Sequence, residues 1–333
     1  MKKFISLILS AIIFTLTLTS CANPGTSNTP STSDTPAHTS SSTSSTTSAP
    51  TPVKREYTAL LYDFADGIVG SGKDIDLSTK IVRKHFVPDR KLTINGNTYA
   101  GVYDESEESK FYNYDRDEYT YYDNNNGIKI NYTINAATGD VESYGFYNYR
   151  DVSSDYEGRK IYSQEECLEI ATEYMKQYIH NIEKYTLTSG KAENGLSGYG
   201  TQYTFKFKEY IGDLPIGNSI NVSVTRYGDV RFFNYHITIE DTEKFKESGF
   251  LEAQDWDAID EAIAKRACEA FPTLKDYDKY FSSCEYDADR TTKTLVRMKD
   301  GRYALQCQAY VKLIYKETGN FRRESVLLLV YLN

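Results

Sequence analysis

The chain is poor in the residues from which catalytic and metal centres are built: its 333 residues include 4 histidines, 5 cysteines and 1 tryptophan. The cysteines form no C-x-x-C pair, which disfavours a zinc site, and H-E-x-x-H, G-x-S-x-G and a glycine-rich phosphate loop are all missing. No histidine has a second histidine or cysteine at i+3 or i+4, so we expect helix ends or surface positions for His38, His85, His180 and His236. The sequence therefore predicts no enzyme, no cofactor and no metal site.

Negative charge and tyrosine are what the sequence has in excess. The 38 Lys and Arg against 47 Asp and Glu give a net charge of −9, and loss of Lys2 and Lys3 with a leader would make it −9 − 2 = −11. An acidic surface disfavours nucleic acid and anionic lipid as partners. The 30 tyrosines suit half-buried positions of an antiparallel sheet, and an aromatic surface for peptide or glycan is the alternative.

The amino terminus has the pattern of an export signal. Lys2 and Lys3 precede an apolar run over residues 4–18, which is too short to span a membrane comfortably and long enough for a signal peptide. The run ends in Leu18-Thr19-Ser20-Cys21, which resembles the bacterial lipobox. The resemblance implies that the Cys21 sulfur carries a diacylglyceryl group and becomes the mature amino terminus. We expect a lipid anchor on the extracytoplasmic face of a bacterial membrane; an ordinary cleaved signal is the alternative.

Residues 22–53 are almost wholly Ser, Thr, Pro, Ala and Asn. Such a segment buries too little apolar area to offset its conformational entropy, so we expect a disordered tether. The predicted organisation is a lipoprotein signal peptide (1–20), the lipidated cysteine with its tether (21–53), and three units at 54–150, 151–240 and 241–333.

Hairpin turns recur through the remaining chain at a nearly constant spacing. Gly139, Gly228 and Gly319 each follow an alternating apolar strand, and the intervals are 228 − 139 = 89 and 319 − 228 = 91 residues. A period of about 90 residues is typical of a tandem repeat. A positive φ is expected at each glycine because tight hairpin turns require it.

A helix is predicted ahead of each turn. The middle helix begins after Ser163 and has an apolar stripe from Cys167 to Tyr178, whereas the last begins after Asp255 and ends at Pro272. Residues 75–86 have roughly helical spacing, although an irregular strand is the alternative. The expected fold class is therefore α+β, with tandem units that each pack one helix on an antiparallel sheet.

The middle unit carries a family resemblance. Residues 203–207 (Tyr-Thr-Phe-Lys-Phe), Leu214-Pro215-Ile216, the alternating strand 220–224 and the turn Gly228-Asp229-Val230 resemble the PepSY superfamily, and more narrowly the YcdB/YcdC-type exported proteins. The resemblance implies a helix packed on an antiparallel sheet and supplies no catalytic residues. It also implies a module that restrains or modulates peptidases.

Two functions of different classes follow. The first is a lipid-anchored, non-catalytic binding module for a peptidase or another envelope protein, which would use a sheet edge or a tyrosine-rich face. The alternative is a cell-wall-directed hydrolase with two converging carboxylates, or a lipoprotein that binds glycan or a small solute.

We expect structural rather than catalytic roles for the acidic pairs, for the Asp/Asn-rich turn and for the cysteines after Cys21. The acidic pairs Asp115/Asp117 and Glu107/Glu108 are expected in solvated loops, and residues 123–127 are expected to form a hairpin turn rather than a calcium loop. Cys167 and Cys307 fall on predicted core faces, whereas Cys268 and Cys284 are not placed. Whether any of these four cysteines forms a disulfide is left open by the sequence.

Overall fold

A computed structural model describes residues 55–65, 72–84, 87–150, 153–194 and 200–333. Arg55–Asn333 form one compact unit. Among the described residues, no helix is long and apolar enough to cross a membrane. The predictions for the signal peptide, Cys21, the tether, His38 and His85 lie outside these ranges.

Strands dominate the described residues. They are β1 (Ala59–Phe64), β2 (Lys80–Arg83), β3 (Arg90–Ile94), β4 (Asn97–Ser109), β5 (Asp115–Asp123), β6 (Ile128–Asn135), β7 (Val141–Asn148), β8 (Tyr185–Asn194), β9 (Thr201–Ile211), β10 (Leu214–Thr225), β11 (Val230–His236), β12 (Phe281–Arg297), β13 (Tyr303–Tyr315) and β14 (Phe321–Tyr331). The helices are α1 (Gln164–Met175), α2 (Thr242–Glu247), α3 (Trp256–Ala270) and α4 (Tyr277–Tyr280), with short 3-10 turns at Ser153–Tyr156, Ile182–Lys184 and Phe271–Thr273.

In the described residues all fourteen strands join into one sheet, so the prediction of tandem helix-on-sheet units is wrong. The main strand order is β1-β14-β13-β12-β10-β11-β7-β6-β5-β4-β2, with β3 on β4, and β8 on β9, which pairs with β10. One cause of the difference is β10. It pairs antiparallel with β9 and β11, and at Ile216 it also pairs parallel with Leu295 of β12. β10 thereby joins the second predicted unit to the third. β7 pairs with β11 and β1 pairs with β14, which join the first predicted unit to the second and to the third.

The helix predicted over residues 75–86 is also wrong where the structure describes it. Lys80–Arg83 form β2, which pairs antiparallel with Ser106–Ser109 of β4. Ile81 and Val82 are β-branched residues that favour a strand, and both side chains are exposed rather than buried in a helix stripe. Pairing with β4, a distant strand, therefore determines that residues 80–83 form a strand.

The two longer helices are confirmed, and each covers part of one sheet face. Ser163 and Glu166 form a reciprocal capping box at the start of α1, and the Asp255 side chain accepts a hydrogen bond from the Ala258 N–H at the start of α3. The buried stripe of α1 packs on β9 and β10, and that of α3 packs on β1 and β12–β14. The strands therefore contribute to two main apolar clusters, one under each helix.

The three turn glycines occupy hairpin turns with positive φ, as predicted: Gly139 (+78°), Gly228 (+87°) and Gly319 (+68°). The resemblance stops at the turns. A β-carbon added at Gly228 would contact side chains of Tyr162 and Ile170, whereas one at Gly139 or Gly319 would meet no atom within 4 Å. The spacing of about 90 residues therefore marks similar turns within one sheet and not equivalent units.

A buried polar network fixes the irregular part of β10. The register between β10 and β9 shifts between Pro215 and Ser219, and the Asn218 side chain lies there with 3% exposure. Its amide nitrogen donates to a Glu209 carboxylate oxygen at 2.8 Å and to the Ile239 carbonyl at 2.7 Å. Its oxygen accepts the backbone N–H groups of Thr238 (2.7 Å) and Ile239 (3.0 Å). Asn218 therefore attaches the segment that follows β11 to β10.

Candidate functional site

The β10–β11 turn and the segment before α1 together form a cluster of tyrosine and arginine side chains. Tyr156 and Tyr227 stack with ring centroids 4.4 Å apart, and the Arg159 guanidinium lies 4.9 Å from the Tyr156 ring centroid. Arg159 also donates to both carboxylate oxygens of Asp229 at 3.0 Å. A bidentate arginine–carboxylate pair fixes orientation, so this cluster holds residues 153–162 against the turn.

A shallow groove of about 470 Å³ lies beside this cluster. It is lined by Ser153, Ser154, Tyr156, Arg159, Ile161 and Tyr227, among others. The Ile161 side chain is 60% exposed at its edge. The groove is open and mixes apolar and polar groups, which suits a surface contact better than a small ligand.

A second groove, which we call the helix groove, runs along α1 and has a volume of about 530 Å³. Its aromatic and aliphatic lining comes from Tyr162, Ile170 and Tyr174, and it is also lined by Gly228 of the β10–β11 turn and by Val230, the first residue of β11. Burial raises the pKa of Tyr174 far above its ordinary value. Its hydroxyl is therefore neutral and lies 3.1 Å from that of Tyr178.

One side of the helix groove is acidic. Glu166, Glu169 and Glu173 all line it, and their spacing of three and four residues places them on one side of α1. Glu166 pairs with Lys160 at 2.8 Å, an interaction that holds the pKa of Glu166 below its usual range, with help from the Ser163 N–H. Glu169 and Glu173 are exposed, and Glu173 accepts a hydrogen bond from Lys176 at 2.5 Å. Lys160 also lines the groove, which therefore combines three carboxylates and one ammonium group with apolar and aromatic side chains.

A second acidic group lies elsewhere in the sheet. Glu105, Glu107 and Glu118 have carboxylate oxygens within 4.8 Å of one another. The Lys80 ammonium approaches Glu107 to 2.7 Å, and Arg116 lies 2.7 Å from Glu107 and 3.2 Å from Glu118. Burial raises the pKa of Glu107, but Lys80 and Arg116 outweigh it and hold that pKa below the usual range. This group is an ion-pair network that joins β2, β4 and β5.

The same network corrects the prediction for the acidic pairs. Glu107 and Glu108 lie in β4, and Asp115 and Asp117 lie in β5, so none of them is in a loop. Glu107 and Asp117 are nearly buried. The prediction for residues 123–127 is confirmed, since Asp123 accepts backbone N–H groups from Asn125 and Asn126 in the β5–β6 turn.

Some of the described histidines and cysteines lie where the sequence analysis expected them, and others do not. His180 is exposed just beyond α1, as predicted, whereas His236 ends β11 in a half-buried position. Burial, with a smaller effect from Arg116, lowers the pKa of His236 to about 4. Cys167 and Cys307 are buried core residues, as predicted, and Cys268 and Cys284 are half-buried.

Tyrosines occupy deeper positions than the sequence analysis expected. Tyr119, Tyr132 and Tyr144 are each 1% exposed, and the first two stack at 5.2 Å. The sequence analysis did not identify Tyr156 or Arg159, which belong to the tyrosine and arginine cluster at the β10–β11 turn. Their segment has no strand or helix periodicity, and the only local hint is the closeness of basic and aromatic residues at 156–162.

Comparisons with known proteins give a family match and a similar solved structure. A family model described as the YcdB, YcdC repeated domain matches residues 97–236. Among solved structures, the Bacillus megaterium YpeB C-terminal domain is similar at 12% sequence identity, covering 75% of this chain and 90% of that one, with a TM-score of 0.29. A search of curated proteins found no match.

The family match fits the strand boundaries. It begins at Asn97, the first residue of β4, and ends at His236, the last residue of β11. It includes α1, the β10–β11 turn and most of the lining of both grooves. The segment that forms the candidate site is therefore similar to the YcdB, YcdC repeated domain, which confirms that part of the family resemblance.

Proposed function

We propose that this protein is a non-catalytic binding module, lipid-anchored through Cys21 on the extracytoplasmic face of a bacterial membrane. It holds a polypeptide segment of another envelope protein, with a peptidase as the partner class that the family resemblance suggests. The observation that carries the proposal is the helix groove, whose lining combines Glu169 and Glu173 with aromatic and aliphatic side chains.

The shape of the groove favours an extended polypeptide. From Glu166 to Gln177 the groove lining spans 177 − 166 = 11 steps along α1 and the turn that follows it, or about 16 Å at a helical rise of about 1.5 Å per residue. Five extended residues cover roughly the same length. Tyr162, Ile170 and Tyr174 offer contacts for apolar side chains, and the glutamates offer charge-assisted hydrogen bonds to lysine or arginine. The preferred occupant is therefore a basic, partly apolar segment.

The ionic state of the other acidic group supports a non-catalytic role. A hydrolase with two carboxylates needs them free in a cleft that admits substrate. Glu107 instead pairs with Lys80 and Arg116, and neither groove is lined by Glu105, Glu107 or Glu118. Glu107 and Glu118 thereby join strands through Lys80 and Arg116. Binding is therefore tested at the helix groove.

The peptide prediction uses a matched pair of fluorescent probes with the full chain. One peptide alternates lysine with leucine and tyrosine, and the other has glutamate at every lysine position. We expect the lysine peptide to bind and the glutamate peptide to bind at least tenfold more weakly, because the groove edge is acidic. The double variant Glu169→Gln/Glu173→Gln should lose about three- to tenfold affinity for the lysine peptide, measured by fluorescence anisotropy.

The control for that measurement has the same change in charge away from the groove. Glu252 and Glu269 are exposed on the α3 side, and neither lines either groove. Glu252→Gln/Glu269→Gln should therefore leave the affinity within twofold of the parent. Equal losses in the two double variants would mean that net charge, and not the helix groove, attracts the peptide.

The anchor is tested separately in bacterial cells. Leu18-Thr19-Ser20-Cys21 motivates the expectation that the full chain incorporates fatty acid and fractionates with the membrane. Cys21→Ala should abolish labelling and release the protein from the membrane, since the thiol that accepts the lipid is gone. Unchanged labelling or unchanged membrane retention in this variant would refute the anchor without affecting the peptide result.

A further inference from the structure

Two half-buried cysteines from different elements converge at one end of the α3 cluster. Cys268 lies in the last turns of α3, and Cys284 lies near the start of β12. Both pack against the same apolar cluster, and Cys284 pairs with Leu313 of β13, whose side chain is buried there. The α3 helix packs against β12, and the thiols of Cys268 and Cys284 are close enough to shift each other's pKa. The two cysteines therefore lie next to each other across the interface between α3 and β12.

The other two described cysteines differ in access. Cys167 is 0% exposed and Cys307 is 1% exposed, and the Cys167 thiol donates to the Thr225 carbonyl. Buried thiols in apolar surroundings react slowly because the thiolate is disfavoured there. Burial raises the pKa of Cys167 to about 11 and that of Cys307 to about 12. Only the partly exposed pair combines proximity with access to a reagent.

We propose that Cys268 and Cys284 are a redox modification site and form a disulfide that joins α3 to β12. The bond would close a loop of 284 − 268 = 16 residues that contains α4 and the 3-10 turn at Phe271–Thr273. A cross-link of this length stabilises a fold chiefly by restricting the unfolded chain. The inference rests on the α3–β12 interface alone and is independent of the helix groove and of the anchor.

The oxidation requires a small or protein disulfide as the electron acceptor. The Cys268 thiolate attacks one sulfur of that disulfide, forming a mixed disulfide and releasing one thiol of the oxidant. The Cys284 thiolate then attacks the Cys268 sulfur, forming the intramolecular bond and releasing the second thiol. The two cysteines lose two electrons and two protons in total, and the oxidant disulfide becomes two thiols. The neighbouring Cys284 side chain lowers the pKa of Cys268, which favours Cys268 as the attacking group.

The experiment uses the full-length chain with Cys21→Ala, so that four of the 5 cysteines remain. The folded protein is incubated with oxidised glutathione, after which free thiols, intact mass and non-reducing peptide maps are measured. We expect the thiol count to fall from four to two, a Cys268–Cys284 linked peptide, and a rise in Tm of about 3–8 °C. Added Cys268→Ser should prevent the linked peptide and the rise in Tm, whereas added Cys284→Ser should leave glutathione on Cys268, the attacking group.

Three results would overturn the proposal. The first is a thiol count that stays at four under conditions that oxidise a model dithiol peptide. The second is glutathione on both cysteines without a linked peptide, and the third is a linked peptide with no rise in Tm. Cys284→Ser serves as the second variant if Cys268→Ser does not fold, since it also removes one partner of the bond and Cys284 is half-buried.

Discussion

Asn218→Ala is expected to lower the free energy of unfolding by about 3–5 kcal/mol. The change removes all five hydrogen bonds of this side chain at once, including one from the Thr238 hydroxyl at 3.4 Å. It leaves two backbone N–H groups, one carbonyl and one Glu209 carboxylate oxygen buried without those partners, and each such group costs about 1–3 kcal/mol. Thr242 still donates to the other Glu209 oxygen at 2.6 Å. The sum is smaller than four full penalties because water can enter the space left by the amide.

Denaturant unfolding of the full chain measures this effect, and Asn221→Ala is the matched control. Asn221 lies in the same strand three residues later and is half-buried. It pairs through the backbone with Asn234 of β11 and Lys206 of β9. We expect the control to cost under about 1 kcal/mol. Similar midpoints for the two variants would show that the Asn218 network contributes nothing beyond an ordinary strand position.

Gly228→Val is expected to cost about 2–4 kcal/mol for two separable reasons. The first is the backbone, since a β-branched residue at φ +87° is strained by about 1–3 kcal/mol. The second is packing, because a β-carbon there would lie 3.1 Å from Tyr162 and 3.3 Å from Ile170. These neighbours line the helix groove, so the variant should also lower the affinity for the lysine peptide.

Gly139→Val separates the two contributions. Gly139 has φ +78°, and a β-carbon added there meets no atom within 4 Å, so this variant reports backbone strain alone. It should destabilise less than Gly228→Val and should leave peptide affinity unchanged. If the two variants cost the same in urea unfolding, the contact with Tyr162 and Ile170 has no energetic weight, and the turn does not depend on α1.

Local sequence patterns determined several elements correctly. The Ser163 cap and the apolar stripe that follows it predicted α1, and Asp255 with its stripe predicted α3. These signals are local because a helix forms hydrogen bonds within four residues. Alternation also identified the central strands and the turns at Gly139, Gly228 and Gly319, since strand faces repeat every two residues. The family match to residues 97–236 fits the short motifs in the same region.

The tertiary structure alone decided how these elements combine. Ile81 and Val82 carried a spacing compatible with a helix or a strand, and pairing with β4 selected the strand. The merger of hairpins depends on pairing between distant strands, such as that of Ile216 with Leu295, 79 residues apart, and that of Gly145 with Phe232. Such pairing leaves no periodic signal in the sequence. The groove is built from α1, the turn at Gly228 and the β3–β4 turn at Asn95, while Cys268 and Cys284 meet across a helix and a strand. Each of these sites requires residues that only the folded chain brings together, whereas periodicity reports only which face of its own element a side chain occupies.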